Sequence, residues 1–61
     1  MPIIHIAMLE GRSREQKARL AKSITEAFVE IAKAPADQVM IVFSEQPKEN
    51  WAIGGKLLTR T

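Results

Sequence analysis

Apolar residues fall in three runs along the chain, each with its own period. The first is PIIHIAML at residues 2–9. It is short, rich in isoleucine and bounded by Gly11, which predicts a β-strand. Its alternating faces are Pro2, Ile4, Ile6, Met8 and Ile3, His5, Ala7, Leu9. Both are largely apolar, so both are expected to be covered, as in a parallel sheet. A proline cannot donate to a ladder, and the first position of a strand is where one is tolerated.

A helical period follows. Ser13 is a good N-cap, and Gln16 three residues on completes a capping box. Leu20, Ile24, Ala27, Phe28 and Ile31 recur at helical spacing, with Arg14, Lys17, Lys22, Glu26, Glu30 and Lys33 largely on the other side. Pro35 biases its predecessor away from helical angles, so the helix is predicted over 13–33 and ends by Ala34. The third run, QVMIVFS at 38–44, predicts a second strand, with Val39, Ile41 and Phe43 on one face and Met40, Val42 and Ser44 on the other. Strand, helix, strand is a β-α-β unit with parallel strands and a right-handed crossover. Gly54-Gly55, set between apolar residues, predicts a short C-terminal hairpin at about 50–58 that reaches over a neighbour. The expectation is one α/β domain over 1–61.

One helix covers one face of a two-stranded sheet, and two strands alone are rarely stable. A second copy of the chain is the expected cover for the other face. Length points the same way, because 61 residues bury little surface as a monomer. Small domains compensate with disulfides, metals or oligomerisation. There is no cysteine, which excludes disulfides and thiolate metal sites, and the single histidine, His5, argues against zinc. A homo-oligomer remains.

Nine basic and seven acidic residues leave a net charge of +2, and the basic residues are dispersed. That balance argues against nucleic acid and against an anionic membrane as partners. Phe28, Phe43 and Trp51 are too scattered for a base-stacking platform. The opening apolar run is too short to span a bilayer and lacks a basic leader, so a cytoplasmic location is the expectation.

Conventional catalytic equipment is sparse. GGKLLT lacks the first glycine and the serine or threonine of a phosphate-binding loop. There is no GxGxxG, no GxSxG and no cysteine–histidine or serine–histidine pairing. The seven acidic residues show no paired arrangement and are expected on solvated surfaces. Pro2 has two readings. It is an ordinary strand-start residue, or, with Met1 removed, a free secondary amine.

The start MPII, the segment LEGRSREQK at 9–17, the AP at 34–35 and the closing WAIGGKL at 51–57 resemble, in order and spacing, the 4-oxalocrotonate tautomerase family. The resemblance covers essentially the whole chain. It implies the tautomerase fold (a β-α-β unit and a short hairpin), commonly a hexamer built as a trimer of dimers. It also implies an isomerase that needs no cofactor and acts on a small-molecule carboxylate substrate. With Met1 removed, Pro2 would be the general base in a keto–enol or double-bond shift of a small 2-oxo or 2-hydroxy unsaturated acid. Arg12 stands where the family places the arginine that binds the substrate carboxylate, a task suited to a planar bidentate fork. Ile3, Leu9 and Trp51 are the expected low-polarity wall, which would favour the neutral amine.

One position departs from the family pattern. The best-known members carry a second arginine on the second strand, where this chain has Met40. Losing such a stabiliser typically costs roughly two to three powers of ten in rate. Met40 and Trp51 make the expected pocket more apolar, which favours a monocarboxylate such as an arylpyruvate enol over a dicarboxylate dienol. Lys48 and Arg60 are the candidate cations for the missing charge. His5 is expected to be structural, its ring hydrogen-bonded at an interface. Two other readings stay open. One is a nearly inactive structural member that keeps the fold and the assembly. The other is a hydratase or dehalogenase of a small unsaturated acid, for which no carboxylate is clearly placed to activate water.

Overall fold

A computed structural model describes residues 1–59 of the chain. Arg60, one of the two cations named above, lies outside the described residues. Strand β1 (Ile3–Leu9), helix α1 (Arg14–Ile31) and strand β2 (Met40–Gln46) are followed by the two-residue strands β3 (Ala52–Ile53) and β4 (Lys56–Leu57). Single 3₁₀ turns lie at Ala36–Gln38 and Lys48–Asn50. β1 and β2 pair in parallel, from Ile3 opposite Met40 to Leu9 opposite Gln46. β3 and β4 pair antiparallel across Gly54 and Gly55. Both glycines have positive φ, 60° and 83°, as a two-residue hairpin turn requires. The architecture is the α/β one expected, a parallel β-α-β unit with a C-terminal hairpin.

The capping box forms as its spacing dictates. The Gln16 N–H donates to the Ser13 hydroxyl (3.1 Å), and the Ser13 N–H donates to the Gln16 side-chain oxygen (2.9 Å). At the other end, α1 stops before Pro35 compels it to. Lys33 takes a left-handed conformation (φ 59°), and the Ala34 N–H turns back to the Phe28 carbonyl (3.3 Å), which also accepts from Ala32. Glycine usually fills such a post-helical position.

The parallel register sorts the sheet into two faces. On one, Ile4 lies beside Ile41 and Ile6 beside Phe43, and all four are half-buried. The half-buried residues of α1 are Lys17, Ala21, Ile24, Thr25 and Phe28. This stripe is rotated from the predicted one. Leu20, Ala27 and Ile31 lie outside it, and Ile31 is 80% exposed. A two-stranded sheet is narrow and takes only part of a wide apolar arc, so the flank of the helix stays open.

The other sheet face carries Ile3, His5, Ala7 and Leu9 from β1 and Met40 and Val42 from β2, and all of these are exposed. No described residue is fully buried. The radius of gyration is 14.8 Å, with extents of 46 × 24 × 14 Å. A compact chain of this length would have a radius near 10.5 Å by the usual scaling, so the chain is a thin slab. Its thickness is one helix on one sheet, and among the described residues nothing covers its second apolar face. His5 lies in that face, its Nε2 2.5 Å from the Ser44 hydroxyl.

Candidate active site

The candidate residues divide between the two ends of the slab. Pro2, Ile3 and Met40 form one group. The Met40 backbone N–H donates to the Pro2 carbonyl (3.0 Å), and Ile3 and Met40 are register partners. Pro2 is half-buried, while Ile3 and Met40 are exposed on the open sheet face. The hydrogen bond that anchors Pro2 uses its carbonyl and not its ring nitrogen. Among the described residues no hydrogen bond runs to Met1, which is 78% exposed. Cleaving Met1 therefore leaves the start of β1 held as before.

Leu9, Arg12 and Trp51 form the second group. Leu9 is the register partner of Gln46, whose carbonyl oxygen accepts both the Glu10 N–H (3.0 Å) and the Trp51 indole N–H (3.3 Å), and Arg12 follows two residues after Glu10. One oxygen thus ties the β1–α1 link, which carries Arg12, to the segment that carries Trp51. The Lys48–Asn50 turn sets the tryptophan, whose N–H donates to the Lys48 carbonyl (3.1 Å) and whose carbonyl accepts from Leu58 (2.9 Å). Asn50 Nδ2 donates to Gln46 Oε1 (2.6 Å) and braces the same turn. An open cleft of about 340 Å³ lies at this end, lined by Leu9, Glu10, Pro47, Lys48, Glu49 and Thr59. Lys48 therefore lines a cleft with Leu9 and Glu10, at the opposite end of the sheet from Met40.

The span between the groups decides what one chain can do. Six steps separate Ile3 from Leu9, which at about 3.3 Å each is about 20 Å. A small acid cannot touch Pro2 and Arg12 of the same chain. A site that uses both takes them from two copies, with the start of one β1 beside the end of the other. Two strands running antiparallel bring the ends together in that way, and they do so twice.

Sequence reasoning missed Gln46, whose role is carried by its backbone and leaves no signature in residue type. It also set Lys17 on the solvated side of α1 and left Glu45 unpaired. Instead, Lys17 Nζ and Glu45 Oε1 form a partly buried ion pair at 2.5 Å. They are 28 residues apart, so no local pattern links them. Among the described residues no group of three histidine, cysteine, aspartate or glutamate side chains is arranged to hold a metal ion. No described helix is long and apolar enough to cross a membrane.

Comparison with known proteins agrees with this fold. The family model described as tautomerase enzyme matches residues 2–60. A 2-hydroxymuconate tautomerase of Comamonas testosteroni is 47% identical over 55 residues, covering 90% of this chain and 87% of its own. Among solved structures, TomN, a 4-oxalocrotonate tautomerase homologue in the tomaymycin biosynthetic pathway, superposes with a TM-score of 0.88 at 35% identity, covering 93% of this chain and 88% of its own. A heterohexameric 4-oxalocrotonate tautomerase from Chloroflexus aurantiacus superposes with a TM-score of 0.87 at 38% identity, covering 95% and 94%.

Proposed function

The chain belongs to the tautomerase family, and from that premise we propose a cofactor-free tautomerase whose site is shared between two copies. With Met1 removed, Pro2 of one copy is the general base. Arg12 of the other binds the substrate carboxylate. The observation that carries this reading is the division of the candidates between opposite ends of β1, which makes each end incomplete and complementary to the other. The free apolar sheet face and the thin slab support the assembly. The Chloroflexus relative is a heterohexamer. For this chain the proposal is a homohexamer, built as three antiparallel pairs.

The chemistry follows from the groups. A secondary amine at a chain terminus is a base of moderate strength, with α-amino groups ordinarily near 7.7–8.0. An apolar wall of Ile3 with the other copy's Leu9 and Trp51, together with a nearby guanidinium, disfavours the ammonium form. The amine then takes a proton from a carbon or enol oxygen next to a carbonyl and returns it elsewhere in the conjugated system. Arg12 holds the carboxylate so that the acidic proton faces the amine. Met40 supplies no charge for the developing enolate. An arylpyruvate enol suits that pocket better than a dicarboxylate dienol.

Met40 also favours a second reading, a structural member with little turnover. One experiment separates the two. The intact mass establishes that Met1 is absent, and the ketonisation of phenylenolpyruvate is followed by absorbance. A rate well above buffer that falls on Arg12→Ala supports the enzyme. Processed protein with no rate above buffer leaves the structural reading.

A further inference from the structure

Arg12 lies in the short link between β1 and α1, and that link is fastened at both ends to two adjacent residues of β2. At the strand end, the Glu10 N–H donates to the Gln46 carbonyl (3.0 Å). At the helix end, the capping box and the Lys17 N–H on the Ser13 carbonyl (3.1 Å) set the first turn. Those bonds are internal to the helix start and do not tie it to the sheet. The tie is Lys17 Nζ on Glu45 Oε1 (2.5 Å), with the two side chains 29% and 26% exposed. Among the described residues it is the sole ion pair and the sole side-chain hydrogen bond between α1 and the sheet. Glu45 and Gln46 thus grip the two ends of the segment that presents Arg12. Gly11 between them has φ 124°, a conformation that does not rigidify the link by itself.

We propose that Lys17 and Glu45 are positioning residues for Arg12. They touch no substrate. They fix where the guanidinium fork points, so their loss is felt through Arg12 and not through folding. The proposal rests on the tautomerase reading for its effect on turnover, but the clamp itself has a separate readout.

The test is a double-mutant cycle on phenylenolpyruvate ketonisation, with the assembly state followed by sedimentation. Glu45→Gln keeps the shape and removes the charge. It is expected to lower kcat/KM about three- to tenfold in the wild-type background, the scale of a displaced binding group. In an Arg12→Ala background it is expected to change kcat/KM by less than about twofold, as coupled residues do. Lys17→Gln should match Glu45→Gln, and Lys17→Arg should restore most of the loss. An equal fall in both backgrounds overturns the proposal, and so does loss of assembly in both Glu45→Gln and Lys17→Gln, which would make the pair purely structural. Hydrogen exchange at the Glu10 and Ser13 amides, which donate to the Gln46 carbonyl and to Gln16 Oε1, reads the clamp without turnover. In Glu45→Gln these amides should exchange about fivefold faster or more while those of β1 keep their rates. Unchanged exchange overturns the clamp. A wild-type protein without activity overturns the enzyme reading alone.

Discussion

Met40 donates its backbone N–H to the carbonyl of Pro2 at 3.0 Å, so the proposed base and the residue that replaces an expected arginine stand side by side. The bond leaves the proline nitrogen out of the sheet ladder. An amide nitrogen has no basicity, so protein that keeps Met1 should lose activity while keeping its fold. The expected loss is at least about a hundredfold, the usual contribution of a positioned general base. Mass-selected preparations with and without Met1 check it. In the processed protein kcat/KM should rise with pH as the amine loses its proton, and a flat profile from about pH 5 to 8 would contradict an amine base.

The same pairing makes Met40 the lever for substrate choice. Its side chain is 51% exposed at the Pro2 end, with room for a longer group. Met40→Arg should add the missing positive charge for a developing enolate. Turnover of a dicarboxylate dienol such as 2-hydroxymuconate is expected to rise about tenfold or more, the scale of one electrostatic stabiliser. Phenylenolpyruvate should gain less, because its aromatic end loses an apolar neighbour. Steady-state kinetics on both substrates give the ratio that decides the matter.

The helix end offers a test of stability that does not touch the site. Lys33 holds φ at 59°, where a side chain costs about 1–2 kcal/mol. Glycine removes that strain but loses about 0.5–1 kcal/mol more backbone entropy on folding. The net expectation for Lys33→Gly is a gain of about 0.5–1 kcal/mol. Denaturant titrations at one fixed protein concentration check it, since assembly makes stability concentration-dependent.

How much of this was legible in the sequence depends on the range of each signal. The Ser13–Gln16 box and the Gly54-Gly55 turn are local, and each forms where its spacing placed it. The alternation of the third run also holds, but its strand is Met40–Gln46 and not 38–44, because Gln38 ends a 3₁₀ turn that Val39 caps. The resemblance to the tautomerase family covered the whole chain and fixed the fold. Lys17 was misplaced because its partner Glu45 is 28 residues away, and helical period alone put it on the solvated side. Leu20 and Ile31 were expected in the packed stripe, yet the narrow sheet leaves them out. The candidate residues were legible one by one. Their separation into two ends was not, because it follows from the register of β1 on β2 and the length of the strand.

The open sheet face yields the strongest test of assembly. Val42 lies opposite His5 in the middle of that face and is 45% exposed in the single chain. It belongs to neither end group, so a change there does not alter the proposed catalytic residues directly. If a second copy covers the face, Val42→Asp buries an unpaired carboxylate in every subunit, a penalty of several kcal/mol each. The expected outcome in sedimentation is collapse of the hexamer to smaller species, with turnover lost because the site needs two copies. Lys22→Gln, on the exposed side of α1, should leave assembly intact and serves as the matched charge change of one unit. A Val42→Asp protein that sediments as wild type, with wild-type turnover, would show that the face stays open to water. The shared site would then have to be built through the strand edges alone.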